Sequence, residues 1–350
     1  MNNALGNRVM ITRLPAASQP AWKQELGQAI TDPEVLLHVL DLDRSLLPAA
    51  RRAADIFGLR VPRGFVARMR PGDPHDPLLK QVLPLADEMI DTPGFTADPV
   101  GDQAAEVARG VLKKYAGRVL LVASGACAVN CRYCFRREYP YRGHLAATGE
   151  WADAIAAVVS DPSVTEVILS GGDPLTLPNT QLARLTAGLR QAPHLARLRI
   201  HTRMPVVLPE RVDAEFCLWL ESLPWPVTVV LHANHPREID EGVVRACRRM
   251  RGAGATLLNQ SVLLKGVNDN ADVLAALSES LFSAGVLPYY VHMLDPVTGA
   301  AHFHVPEQRA RQLMEALETR LPGYLMPRLV REIHGASSKT VIAPGSGNVT

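Results

Sequence analysis

From residue 118 onward, short apolar runs alternate with amphipathic stretches, and this alternation restricts the chain to an α/β architecture built on a parallel sheet. Strands are expected over 118–124, 166–170, 195–201, 227–232, 256–264 and 289–294. Between them, apolar residues recur at three- and four-residue spacing over 151–160, 180–191, 209–222, 241–253, 270–284 and 306–321, which predicts helices. Six such units make a partial (β/α)6 barrel over residues 96–324 the expected fold. An amino-terminal helical extension, 1–95, precedes it, with helical patterns over 19–30 and 33–40 and a stretch punctuated by Pro and Gly over 60–77. The last segment, 325–350, is broken by Pro327, Gly335, Pro344, Gly345 and Gly347 and is expected to be mostly loop.

Parallel α/β folds bind ligands at the carboxyl ends of their strands. The first expected strand runs into Cys127, Cys131 and Cys134, spaced C-x3-C-x2-C, with Tyr133 just before the third. Three thiolates on one loop hold three irons of a 4Fe–4S cluster and leave the fourth open to a small molecule. A zinc site completed by His144 is the alternative, although zinc ligands usually come as two separated pairs. On that alternative the chain is a non-catalytic iron–sulfur or zinc-binding protein. Cys217 and Cys247 stand alone and read as inert buried thiols.

Five cysteines, three of them clustered, do not make a disulfide framework. Residues 1–8 lack an apolar core of signal-peptide length, and no run of about 18 apolar residues occurs, so a cytoplasmic protein that does not enter membranes is expected. A formal net charge of +2 gives no reason to expect direct nucleic-acid binding, and Arg248-Arg249-Met250-Arg251 reads as a solvated helix face.

The cysteine loop through Phe135-Arg136-Arg137, Ser170-Gly171-Gly172-Asp173-Pro174, 259–264 with Gly266-Val267-Asn268-Asp269, and Pro288-Tyr289-Tyr290 together resemble the lysine 2,3-aminomutase family of radical S-adenosylmethionine enzymes. Residues 60–65 and 299–303, Arg331-Glu332-Ile333 and Ser338-Lys339-Thr340 are most similar to the branch that makes β-lysine for elongation factor P. The resemblance implies an isomerase turning α-lysine into β-lysine, with a β-lysine ligase and elongation factor P as functional partners. A free-standing aminomutase of β-lysine metabolism is the nearest alternative. It also implies three cofactors: a 4Fe–4S cluster on Cys127, Cys131 and Cys134, S-adenosylmethionine, and pyridoxal 5′-phosphate.

By that resemblance, Lys339 carries pyridoxal phosphate as a Schiff base, and Lys114, Tyr115 and Arg203 contact it. Lys114 stands where the family tends to have arginine, giving a point charge instead of a fork. Gly171, Gly172 and Asp173 are implied to cradle the methionine ammonium group, with His232 and Gln260 also reaching S-adenosylmethionine. Arg136 is implied to pair with the substrate carboxylate, and Asp295 with Glu332 to hold its ε-ammonium group. Glu332 replaces the aspartate of the free-standing enzymes.

Overall fold

The structure, a computed structural model, describes residues 20–147 and 151–343. Residues 1–8, Gln19 at one expected helix start, and Pro344, Gly345 and Gly347 lie outside the described residues. Ten strands form one sheet whose spatial order is their order in the chain. They are β1 (Glu106–Ala108), β2 (Val111–Tyr115), β3 (Arg118–Ser124), β4 (Glu166–Gly171), β5 (Arg197–Thr202), β6 (Val227–Leu231), β7 (Thr256–Val262), β8 (Leu287–His292), β9 (Arg328–Arg331) and β10 (Thr340–Val341). Neighbours from β3 to β9 pair parallel, while β1, β2 and β10 pair antiparallel. Helices Ala152–Val159, Asn179–Leu189, Ala214–Glu221, Glu241–Gly252, Ala271–Ser283 and Glu307–Glu318 make the crossovers. The result is the expected partial barrel, with the six anticipated strands β3–β8 ending within two residues of their sequence positions.

Three local differences have physical causes. The helix expected over 209–222 splits into a 3-10 turn, Pro209–Arg211, and Ala214–Glu221. Asp213 is extended and its carboxylate accepts from the Phe216 amide at 2.7 Å, restarting the helix as an N-cap. β1 and β2 are a short antiparallel pair whose length gives no readable period. The tail expected as loop contributes β9 and β10, because Leu329 and Val330 are buried against the barrel between two arginines.

The amino-terminal extension packs directly onto the barrel. Trp22 is buried, and the guanidinium of Arg211 lies 4.8 Å from its ring centroid. Arg132, inside the cysteine loop, is fully buried and donates to both carboxylate oxygens of Glu88 at 2.8 and 2.6 Å. It also donates to the carbonyls of Phe57 and Ala53, at 2.6 and 3.3 Å, at the carboxyl end of helix Leu47–Ile56. A cation there meets the negative end of the helix dipole. Arg137 donates to the same Glu88 at 2.8 Å.

Replacing Glu88 with alanine leaves two buried guanidinium groups without their carboxylate. The expected destabilisation is about 3–5 kcal/mol. Urea unfolding measures it, and a loss below about 1 kcal/mol, the scale of an exposed pair, contradicts the clamp.

Candidate active site

A cavity of ≈ 520 Å3 opens inside the barrel, and all the site residues anticipated from the sequence line it: Lys114 and Tyr115 of β2, the three cysteines, Arg136, Gly171, Gly172, Asp173, Arg203, His232, Gln260, Asp295, Glu332 and Lys339. Strand geometry explains the convergence. Alternate residues of a barrel strand point inward, so Arg199 and His201 of β5 join the lining, as does His292 of β8. At Gln260 the β7–β8 register shifts, a local irregularity beside a residue that lines the cavity.

The cysteine loop is bolted from behind. Asn130 donates to the Gly58 carbonyl at 2.8 Å, and the Tyr133 hydroxyl meets His232 Nε2 at 2.9 Å while their rings stack at 5.7 Å. Arg203 donates to Cys131 Sγ at 2.7 Å, to Gln81 at 2.6 Å and to Glu238 at 2.9 Å. Its described partners therefore lie on the cysteine loop and on a buried polar network, not beside Lys339. Burial and the neighbouring Cys131 push the Cys134 thiol up to about 11, and burial raises Cys127 as well. Arg136 opposes that cost at both thiols, and Arg137 also at Cys134.

Among the described residues, no three His, Cys, Asp or Glu side chains are grouped as ligands of a single metal ion. Three corners of an iron–sulfur cubane lie farther apart than three ligands of one zinc. His144 is engaged elsewhere, by Glu106 and by the edge of Tyr139, so no described geometry supports it as a zinc ligand.

Gly171 and Gly172 are required by backbone approach. A Cβ on Gly171, which has φ of +110°, would lie 2.6 Å from the Ser124 carbonyl, and one on Gly172 would lie 2.5 Å from that of Ala126. The glycines seat the end of β4 against the entrance to the cysteine loop. Asp173 is equally committed: its carboxylate accepts from Thr202 Oγ1 at 2.7 Å and from the amides of Arg203, Met204 and Leu175 at 2.7, 3.1 and 3.0 Å. Its side chain thus holds the chain exits of β4 and β5, leaving the neighbouring backbone to face a ligand.

Opposite charges alternate around Lys339. Its Nζ donates to Glu332 Oε2 at 2.6 Å, and Lys114 Nζ reaches Glu332 Oε1 at 3.1 Å. Lys114 also pairs with Asp102 at 2.6 Å, and Asp102 accepts from Arg136 Nε at 2.6 Å. Burial alone would raise Glu332, but Lys339 and Lys114 hold it down to about 2. Asp102 is likewise lowered, with Arg136 and Lys114 outweighing its burial. Burial and Glu332 push the Tyr115 hydroxyl upward.

Asp295 differs from both acids. Burial and the Glu332 charge push its carboxyl up to about 7, and no described side chain or amide donates to it. His201 and His292 each leave a buried Nε2 without a hydrogen-bond partner, and burial with nearby cations keeps both neutral. Asp102, His201, His292 and the Gln81–Glu238 network were not anticipated. Of that wider network, Tyr133 falls in the cysteine motif, and Asn259 and Asn268 fall in a later one, where both bind backbone, Asn259 bridging to Ala233 and Asn268 to Asn234.

Residues 121–277 match the Radical SAM superfamily. Over 331 residues the chain is 47% identical to an L-lysine 2,3-aminomutase of Escherichia coli strain K12, covering 94% of this chain and 96% of the relative. An L-lysine 2,3-aminomutase of Haemophilus influenzae is 44% identical over 92% of this chain and 95% of its own length. The L-lysine 2,3-aminomutase of Clostridium subterminale is 33% identical over 92% of this chain and 78% of its own.

Proposed function

The chain belongs to the lysine 2,3-aminomutase family of radical S-adenosylmethionine enzymes, and from that membership we propose that it converts α-lysine to β-lysine in the cavity described. The observation that carries this reading is that one cavity joins three thiols to Arg136, to the unpartnered carboxylate of Asp295 and to the amine of Lys339. The family's cofactors are a 4Fe–4S cluster and S-adenosylmethionine, which together supply the radical that opens the reaction. We assign the cluster to Cys127, Cys131 and Cys134, and S-adenosylmethionine to the backbone around Gly171 and Gly172 with Gln260 and His232, all of which line the cavity.

Pyridoxal phosphate is the third cofactor we assign, supplying a conjugated ring for amino-group migration. Lys339 fits that group because it is an amine inside the cavity, bordered by two imidazoles with free buried nitrogens. Lys114 and Tyr115 adjoin it through Glu332, whereas Arg203 is reassigned to the cluster side. For substrate, Arg136 takes the α-carboxylate, and Asp295 with Glu332 takes the ε-ammonium group. Since Glu332 already serves Lys114 and Lys339, Asp295 is the acid with most to gain from a cation. The resemblance of residues 60–65 and 299–303 supports a β-lysine ligase and elongation factor P as downstream partners. A reducing cytoplasm suits five free cysteines; among the described residues no helix is long and apolar enough to cross a membrane.

Anaerobic incubation of the reconstituted enzyme with lysine, S-adenosylmethionine, pyridoxal phosphate and dithionite tests this: β-lysine must appear by chromatography. Its absence, with S-adenosylmethionine still cleaved, removes lysine as substrate. Asp295 adds a pH signature. Because its folded-state value, about 7, lies above that of an ordinary carboxylate, the folded chain holds the proton more tightly, and this contribution to stability is lost as pH rises from about 4 through 7. Lysine binding has the opposite sign, since an ammonium group needs the ionised form. The KM for lysine should fall as pH rises to about 7 and then level. Asp295→Ala should raise it roughly thirtyfold or more, and Asp295→Asn should flatten the profile.

A further inference from the structure

Asp102 occupies a position that no motif marks. It is 2% exposed, and it spends one carboxylate oxygen on each of two cations, Oδ2 on Arg136 Nε and Oδ1 on Lys114 Nζ, both at 2.6 Å. Its own loop is tied down. The Asp102 amide donates to Asp98 Oδ1 at 2.9 Å, and the preceding Gly101, at φ +66°, has no room for a side chain because the His334 ring would lie 1.6 Å from its Cβ. His334 belongs to the β9–β10 connection that also carries Glu332 and Lys339. The loop bearing Asp102 and the connection bearing Lys339 are therefore packed against each other.

The bonding of Arg136 shows what Asp102 accomplishes. A guanidinium has five N–H donors in a rigid plane. Asp102 takes Nε, Ser170 Oγ and the Gly171 carbonyl take Nη1 at 3.2 and 3.4 Å, and Nη2 has no acceptor among the described residues. Pinning Nε and Nη1 leaves Nη2 as the donor that a carboxylate can still meet. The same carboxylate, together with Glu332 at 3.1 Å, neutralises Lys114, which would otherwise be a second cation competing for that anion.

We propose that Asp102 is a positioning residue for the substrate α-carboxylate: it turns Nη2 of Arg136 into the cavity and, with Glu332, holds Lys114 away from the same anion. This deepens the aminomutase reading and rests on Arg136 as the carboxylate's partner. The ligand feature it serves is the carboxylate alone, so it separates lysine from its decarboxylated analogue cadaverine, which keeps both amines.

The experiment compares Asp102→Asn, Asp102→Glu and Arg136→Met in the reconstituted holoenzyme. It reads the KM and kcat for lysine, the inhibition constant of cadaverine, and iron content. Asp102→Asn is expected to raise the KM for lysine roughly tenfold to a hundredfold, with a smaller fall in kcat, unchanged iron and a cadaverine constant within about threefold, the loss of a weak contact. Asp102→Glu should recover part of the loss. A merely structural role would move lysine and cadaverine together and lower iron content, which overturns the proposal. If Arg136→Met weakens lysine but Asp102→Asn does not, Asp102 is not a positioning residue although the site reading stands. If Arg136→Met leaves the KM for lysine unchanged, the reading of Arg136 fails and takes the proposal with it. Should Asp102→Asn not fold, the ratio of lysine to cadaverine affinity in Asp102→Glu decides: it falls if Asp102 positions, and stays at the wild-type value if it does not.

Discussion

Replacing Cys127, Cys131 or Cys134 with alanine, one at a time, is expected to abolish both the iron–sulfur absorption of the reconstituted protein and its cleavage of S-adenosylmethionine. A site-differentiated cluster has three protein ligands and none to spare. The loop offers no substitute, since Cys217 and Cys247 lie on helices Ala214–Glu221 and Glu241–Gly252, outside the cavity lining. The Cys217→Ala and Cys247→Ala variants should therefore keep full iron and turnover. Burial keeps Cys247 protonated, pushing it up to about 12. Iron analysis and anaerobic product assays read all five variants, and normal turnover in Cys131→Ala would remove the cluster from the chemistry.

The second large effect falls on Lys339. Lys339→Ala should lose all pyridoxal phosphate that borohydride can trap and reduce β-lysine formation to background, while iron content and S-adenosylmethionine binding persist. A Schiff base needs an unprotonated amine, and the Lys339 amine is held by Glu332 at 2.6 Å. Loading the cofactor must break or share that pair, so Glu332→Gln should speed cofactor capture even as it weakens lysine binding. Peptide mapping after borohydride reduction gives the direct answer: an adduct on Lys114 or any lysine but Lys339 contradicts the assignment.

What the sequence made legible divides by distance along the chain. Local spacing announces the cysteine triplet, because its three thiols sit within eight residues. Period announces β3–β7 and their helices, because each buries a continuous face, whereas in β8 only Val291 is fully buried. The acids Glu88 and Asp102 carry no such mark. Each looks like an ordinary surface residue until the fold brings Arg132 or Arg136 beside it, at 44 and 34 residues' separation. Resemblance pointed to Lys339, Asp295 and Glu332, which no local pattern marks, but it did not distinguish seating from contact. Asp173 spends its carboxylate on four donors from its own scaffold, and Arg203 turns toward Cys131. Only side-chain geometry separates those uses.

The sequential strand order also sets the order of manufacture. Each strand from β2 to β10 docks beside the one before it, so the sheet can be wound up strand by strand as the chain is synthesised. Clamps from the extension arrive first, the thiols next, and the hairpin carrying Glu332 and Lys339 last. At synthesis rates of about 5–20 residues per second, the ~200 residues from Cys134 to Lys339 take roughly 10–40 s. During that interval the cysteine loop is already translated while its cavity still lacks the final strands, a window in which metal delivery and oxidation compete for the same three sulfurs.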